Sequence, residues 1–408
     1  MSFMIDLTPL RRNTHYRNLF LSQLISFFGT AIAQVSTGFF AYQITKSSLA
    51  VGLIGVFSLV PLSISGFIGG AWADRFNRKK IIIYTELALA ANGLFLMLFA
   101  LSSSHKIEVL YLLVAINALI TGIHRPALES YTQQLITKEE IPAVAALGGF
   151  RYTFAMIIAP SIGGLVLANF GLWTTFLVDM ITYLISLAFV LQLPVKLLEK
   201  GEVQKKDFTN IVEGLKFLKS QPVILGTYMV DIIAMLFVFP SALYPAMAEK
   251  MGSPQMFGFL HSALAVGALI STVTSGWLKK FYHHGRAVAF AAIGWSLALA
   301  SIGFTETPWL ILALIAVAGY FDMISGIFRG TIWNERIPQN FRGRLAGLEM
   351  LSYMAGPLLG GALMGWSSEH VGIERAFLFG GTTGTLCLLG VLFWLRAFWN
   401  YRAESGNK

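Results

Sequence analysis

The stretch Gly69–Ile83, GGAWADRFNRKKIII, decides how this chain is read. Asp74, Arg75, Arg78, Lys79 and Lys80 sit between more than twenty largely uncharged residues and the run Ile81–Ile83. Charge is costly in hydrocarbon, and basic residues gather at its cytoplasmic edge, so this pattern is that of a loop between two membrane helices. The composition agrees. Of 408 residues, 55% are hydrophobic and 12% charged, whereas about 25% charged is ordinary for a soluble domain. So few charges cannot cover a soluble surface of this size, and most of the exterior is expected to face lipid. Cys387 is the single cysteine, which excludes an internal disulfide and a cysteine metal site. A net charge of +9 would suggest nucleic acid in a soluble protein. Here the basic residues lie in the gaps between apolar runs, so topology accounts for them and no nucleic-acid partner is expected. The N-terminal MSFMIDLTPLRRNTHYRN lacks the layout of a signal peptide, and no cleavage is expected.

A bilayer core takes about 20 apolar helical residues to cross. Twelve such runs are predicted, at roughly 18–43, 49–73, 81–101, 107–126, 142–168, 172–193, 222–247, 255–280, 286–304, 309–333, 345–368 and 374–398. The longest polar interval, Val195–Gln221, divides them. The predicted fold is an all-α membrane protein of two six-helix bundles, 1–194 and 222–408, joined by a linker over 195–221 and followed by a short tail. Lysine and arginine set the orientation. They crowd the N-terminus (Arg11, Arg12, Arg17), the loop after span two, the linker with its six lysines, and the loops after spans eight and ten. The alternate loops carry one each: Lys46, Lys106, Lys250 and Arg375. Both termini and the linker are therefore expected in the cytoplasm.

The halves also resemble each other. APSIGGLVL at Ala159–Leu167 in span five is similar to GPLLGGALM at Gly356–Met364 in span eleven. Upstream, HRPALESYTQQLI from His124 parallels FRGTIWNERIP from Phe328. Parallel repeats of two six-helix bundles are one plan of secondary transporters, with a substrate cavity near the midplane between the halves.

In the opening loop, Gly70 is expected to allow close helix contact. Asp74 is placed to accept hydrogen bonds at a neighbouring helix N-terminus, whose dipole favours an anion. The N-terminus of span eleven, after RGRLAG, is the candidate neighbour, with Arg75 or Arg78 pairing with Asp74 from within the loop. Such a latch would hold one face closed and release as it opens. Gly70, Asp74, Arg75, Arg78 and Lys79 resemble, in type and spacing, the loop signature of the major facilitator superfamily. That resemblance implies a role for them in the inward–outward switch. The counterpart loop, SGWLKKFYHHGRAV, keeps Gly276, Gly285 and Arg286 but has Lys280 where an acid is expected.

Ala159-Pro160-Ser161-Ile162-Gly163-Gly164 resembles the fifth-helix GPxxGG of proton-coupled exporters, with alanine for the first glycine. Gly356-Pro357-Leu358-Leu359-Gly360-Gly361 matches that pattern in span eleven. Both are expected to pack helices. The mid-helix arginine of span four has no counterpart; Asn117 is near its place and Arg125 stands at the cytoplasmic end. Leu243–Gly252, Phe257–Gly276 and Gly343–Leu351 look like segments of the drug–proton antiporter branch that includes bacterial enterobactin exporters. Macrolide efflux proteins and lysophospholipid transporters are nearby relatives. The resemblance implies a proton-driven exporter of the inner membrane that needs no cofactor.

An ionisable group in a span costs roughly 2.5–3.5 kcal/mol at helix centre on insertion scales and so marks function by default. Asp231 in span seven and Asp322 in span ten lie on helices that line the cavity in this superfamily. They stand as cavity carboxylates or as a buried structural pair with arginine or backbone. Arg151 in span five is either one half of an ion pair or an anion site. Asp179 in span six reads as structural, and Glu86 and Glu349 as solvated or capping residues. His124 and His261 read as packing or interfacial residues. Gln34, Tyr320 and the phenylalanines Phe27, Phe28, Phe237, Phe239, Phe321 and Phe328 complete the candidate lining, where rings could stack on an aromatic cargo.

Enzyme classes lack their parts: the sequence has no GxxxxGK[ST], no HExxH and no paired cysteines, and His283-His284 reads as solvated. The predicted function is proton-driven export of a siderophore by alternating access, by a monomer in the lipid bilayer. A multidrug or macrolide pump for amphiphilic drugs and a lysophospholipid transporter are alternatives of the same fold. A membrane scaffold or sensor is the alternative of another class.

Overall fold

The computed structural model describes residues 6–195 and 216–403, with the side chains of Pro254, Lys279 and 339–353 other than Leu345 excepted. Most of the predicted linker and the side chains of Arg342, Arg344 and Glu349 thus lie outside the described residues. The described chain is helical, with no strand. Twelve principal helices follow in order: α1 Thr14–Thr45, α2 Ser48–Arg75, α3 Arg78–Leu101, α4 Ile107–Leu135, α5 Ile141–Phe170 and α6 Leu172–Leu191, then α7 Pro222–Phe237, α8 Pro254–Thr274, α9 His284–Ala300, α10 Pro308–Arg336, α11 Gln339–Val371 and α12 Ile373–Trp394. Among the described residues, eleven helical segments are long and apolar enough to cross a membrane. The protein is a multi-pass membrane protein. Predicted spans one to five, ten and eleven fall inside their helices, because a helix continues into the interface until a cap stops it, whereas predicted spans six, seven, eight, nine and twelve extend beyond the ends of α6, α7, α8, α9 and α12. Asn13 starts α1 by accepting from Tyr16 N at 3.0 Å, and Asn77 starts α3 by accepting from Lys80 N at 3.2 Å.

Span seven departs from expectation. Predicted as one helix over 222–247, it breaks after Phe237 and resumes as a 3₁₀ turn, Pro240–Leu243, and a short helix, Tyr244–Lys250. The cause is Pro240: its ring disfavours helical backbone at the preceding residue, and Phe239 is extended at φ −115° and ψ 110°.

The internal repeat is visible in the backbone. Gly171 between α5 and α6 and Gly372 between α11 and α12 both have φ 86°, with ψ 169° and 161°. Residues other than glycine rarely adopt this conformation, so the same sharp turn is built twice.

By packing, the chain divides into two units. Unit 1 comprises Met1–Lys46, Val56–Val203 and Gly252–Ser262; unit 2 comprises Ser47–Gly55, Gln204–Met251 and Ala263–Lys408. In unit 1, α6 packs against α1 and α3, and Tyr16, Leu19, Ile82, Tyr131, Leu147 and Val190 share a core. In unit 2, α9 packs on α10 and α12, and α7 on α11. The short helix Arg396–Trp399 returns the chain end onto this unit, with Phe398 buried against Gly226 and Gly285. Lys250, alone in its loop by sequence, reaches Glu306 at 2.8 Å and Glu374 at 2.5 Å and so ties three connections together.

The two glycine motifs pack helices. On α5, Gly163 rests on Ile32 of α1, and Gly164 brings the backbone onto Gly258 of α8, where a Cβ would stand 3.0 Å from Gly258 Cα. Pro160 is buried beside them and its carbonyl also abuts Gly258. On α11, Gly356 and Gly360 face Met235 of α7, and Gly361 lies near Gly52 of α2. Pro357 sits within the same helix.

Candidate functional site

Unit 2 buries an arginine that is absent from the sequence-based candidates. Arg329 of α10 is 3% exposed and forms an ion pair with Asp231 of α7, which is 5% exposed. Asp322 precedes Arg329 by seven residues, two helical turns, and therefore lies on the same face of α10. Its Oδ1 is 3.9 Å from Arg329 Nη2, and its side chain remains 35% exposed. One cation thus serves two carboxylates. Asp231 is committed to Arg329, since removing either member of a buried pair would strand the other charge. Asp322 is at the distance limit of the ion pair and is the more exposed of the two carboxylates. Of the alternatives for Asp231, the buried pair with arginine is the one found. The signal was present in sequence: Arg329 stands in FRGTIWNERIP at helical spacing from Asp322.

One turn along both helices, a second rung repeats the crossing. Trp333 Nε1 donates to Thr227 Oγ1 at 2.8 Å, and the Trp333 ring stacks on Tyr228 at 5.3 Å between centroids. As Asp231 faces Arg329, so Thr227 faces Trp333 four residues away on each helix. The two rungs fix the register of α7 on α10. Tyr320 lies outside this group: its hydroxyl accepts from Thr274 Oγ1 of α8 at 3.5 Å.

In unit 1, Gln34 is exposed on α1, and Asn117 of α4 accepts from Thr121 at 3.5 Å. Arg151 is half-buried on α5, and its Nε has no hydrogen-bond partner. Rings stand on either side of it in sequence. Tyr152 meets Phe27 of α1 at 5.7 Å, and Phe150 stacks on Phe154 at 5.7 Å. Among the described residues, no hydrogen bond joins Gln34, Asn117 and Arg151. His124 Nδ1 lies 2.8 Å from Thr85 Oγ1, and His261 meets Phe257 edge-on at 5.0 Å. No group of three or more possible metal ligands occurs among the described residues.

The loop within Gly69–Ile83 is built differently from its expected form. Asp74 is exposed and makes no ion pair with Arg75 or Arg78 among the described residues. Instead, Arg78 Nε donates to Ala73 O at 2.9 Å, and Lys79 Nζ donates to Leu191 O at 2.9 Å and Leu193 O at 2.5 Å. The cations serve the carbonyl ends of α2 and α6, where the helix dipole is negative. Arg75 is exposed in the last turn of α2. Gly69, next to Gly70, makes a close helix contact: a Cβ on Gly69 would stand 2.6 Å from Gly122 O and Ile123 Cα of α4. Glu86 also corrects its expected place, being 1% exposed inside unit 1 rather than solvated or capping. It lies in the third turn of α3, where Ser186 of α6 reaches it.

The family model described as "Transmembrane secretion effector" matches residues 5–405. The chain belongs to this family. It is 26% identical over 367 residues to the enterobactin exporter EntS of Escherichia coli O1:K1, covering 89% of this chain and 88% of that one. EntS of E. coli strain S88 aligns equally well. Among solved structures, the nucleoside transporter NupG superposes with a TM-score of 0.71 at 15% identity, covering 95% of this chain and 99% of that one. A D-xylose–proton symporter gives 0.71 at 14% identity, covering 93% and 97%. A bacterial homologue of the iron transporter ferroportin gives 0.69 at 15%, covering 93% and 98%. The fold is that of the major facilitator superfamily, as the Gly70–Lys79 signature implied.

Proposed function

We propose that this protein exports a siderophore-type small molecule from the bacterial cytoplasm across the inner membrane, by alternating access driven by the proton gradient. The observation that carries the reading is the single Arg329 shared between Asp231 and Asp322. Asp322 can exchange a proton without leaving a buried arginine unpaired, because Asp231 keeps Arg329 compensated in either state. With Asp322 ionised, its carboxylate can accept hydrogen bonds from the neutral hydroxyls of a cargo; protonation withdraws that acceptor, so proton and cargo compete for the site. A proton taken up outside after cargo leaves, and released inside as cargo binds, couples the two fluxes. Arg151 and the rings beside it offer a cation and flat apolar faces to a catecholate.

The likeness to an enterobactin exporter supports this cargo. The basic loops support a cytoplasmic position for both termini, and the protein works as a monomer without cofactor, transporting rather than catalysing. Asp74, Arg75, Arg78 and Lys79 with Gly70 act in the conformational switch, Asp74 through a helix terminus it meets in another state of the cycle. The half-exposed Asp322 carboxylate also suits an amphiphilic cationic drug, the second reading. Siderophore in iron-starved medium, measured by mass spectrometry, should fall when the gene is deleted. If secretion is unchanged and cells become sensitive to macrolides or dyes, the drug reading replaces it. Flux of enterobactin or of a macrolide in proteoliposomes separates a transporter from a scaffold or sensor.

A further inference from the structure

Unit 1 buries two carboxylates that the proposed cycle does not use. Glu86 of α3 is 1% exposed and Asp179 of α6 is 2% exposed. Neither forms an ion pair with arginine or lysine among the described residues. Their partners are hydroxyls. Ser186 Oγ donates to Glu86 Oε1 at 2.6 Å, and Thr30 Oγ1 of α1 donates to Asp179 Oδ1 at 3.2 Å. Thr30 Oγ1 also lies 2.8 Å from Tyr183 OH. The second oxygen of Glu86 is buried with no hydrogen-bond partner.

The spacing on α6 aligns these groups. Asp179, Tyr183 and Ser186 are four and three residues apart and so share one stripe, about 10 Å long at 1.5 Å per residue. α1 brings Thr30 to the Asp179 end, and α3 brings Glu86 to the Ser186 end. The other ionisable groups are Tyr183 within the stripe and His124 of α4, which meets Thr85 beside Glu86. Arg151 of α5 has Tyr16, Arg125 and Glu129 as its electrostatic neighbours instead. A buried carboxylate held by one neutral hydroxyl does not recover the cost of leaving water as an ion, whereas the protonated acid does not incur it.

We infer that Glu86, hydrogen-bonded to Ser186, and Asp179, reached from Tyr183 through Thr30, form a second proton-binding site in which a proton passes between the two acids along the α6 stripe, crossing from Tyr183 to Ser186 one helical turn apart. Each transfer breaks one O–H bond and forms the next. Both acids are protonated at rest; once either has released its proton, transfer from the other restores it as an acid and leaves the donor a carboxylate, with no other reactant.

Infrared spectroscopy of the full chain in lipid at neutral pH tests this without any cargo. Protonated-carboxyl bands should be present and should each disappear in Glu86→Gln and Asp179→Asn. On transfer to D₂O the wild-type bands should shift, and Tyr183→Phe or Thr30→Val should slow the shift of the Asp179 band while its intensity stays. Bands unchanged in both carboxylate variants would overturn the inference, because the acids would then be ionised. A wild-type Asp179 band that never shifts would overturn it too, since the pair would be sealed and structural. Tyr183→Phe keeps the ring, so its exchange rate discriminates even where a carboxylate variant fails to fold: a slowed shift supports the hydroxyl path, and an unchanged one overturns it.

Discussion

The two units handle buried charge in opposite ways. Unit 2 places Arg329 between Asp231 and Asp322, so its acids are held by a cation. Unit 1 buries Glu86 and Asp179 with hydroxyl partners and, among the described residues, no cation. The units share a turn geometry at Gly171 and Gly372 and the glycine motifs of α5 and α11, yet their polar interiors have diverged. The lesson is energetic. A cation-held cluster breaks when one member is neutralised, whereas a hydroxyl-held acid loses little, because its neutral form is the one that burial favours.

The largest effect should come from Asp231→Asn, which strands Arg329 and should lower stability by about 3–5 kcal/mol in thermal unfolding. Pairing it with Arg329→Met should restore most of the loss, as apolar replacement of a buried pair is often neutral. Full stability in Asp231→Asn alone would break the comparison at its strongest point. Gly69→Ala should come next, costing about 1–3 kcal/mol through the clash with Gly122 and Ile123. Glu86→Gln should cost less than about 1 kcal/mol, since the amide oxygen still accepts from Ser186. A loss as large as that of Asp231→Asn would mean that Glu86 is ionised.

The smallest effect is at the chain end, where Arg402 Nε donates to His283 Nε2 at 2.8 Å. Desolvation, then the Arg402 and Arg286 cations, hold the His283 pKa below its ordinary value. The sign follows from the depressed pKa of a base. The contact is intact above the ordinary histidine value of about 6.5 and is lost as pH falls through the lower folded value. Protease cleavage after the tail should therefore rise on acidification, and His283→Ala should remove that pH dependence. Cleavage that ignores pH in the wild type would rule the contact out.

The spans were legible because length and hydropathy of a membrane helix are set by the bilayer, residue by residue. The break at Pro240 was legible in principle, since proline constrains the residue before it, but apolar Phe237–Phe239 hid it in a continuous hydrophobic run. Arg329 was hidden differently: its neighbours drew attention as half of a repeat, and a lone charge near the end of a predicted span resembles a loop residue. Glu86 was misplaced because distance from a helix end measures depth and not what covers a side chain. The contact at Gly69 was not legible, because only the direction in which α4 approaches α2 shows that this glycine must lack a Cβ.

The central claim is that Asp322, and not Asp231, exchanges the coupling proton. Enterobactin flux into proteoliposomes driven by an imposed pH gradient tests it most directly, compared with cargo-for-cargo exchange without a gradient. Asp322→Asn should lose gradient-driven flux to the level of protein-free liposomes while keeping exchange. Gradient-driven flux at the wild-type rate in Asp322→Asn would contradict the account.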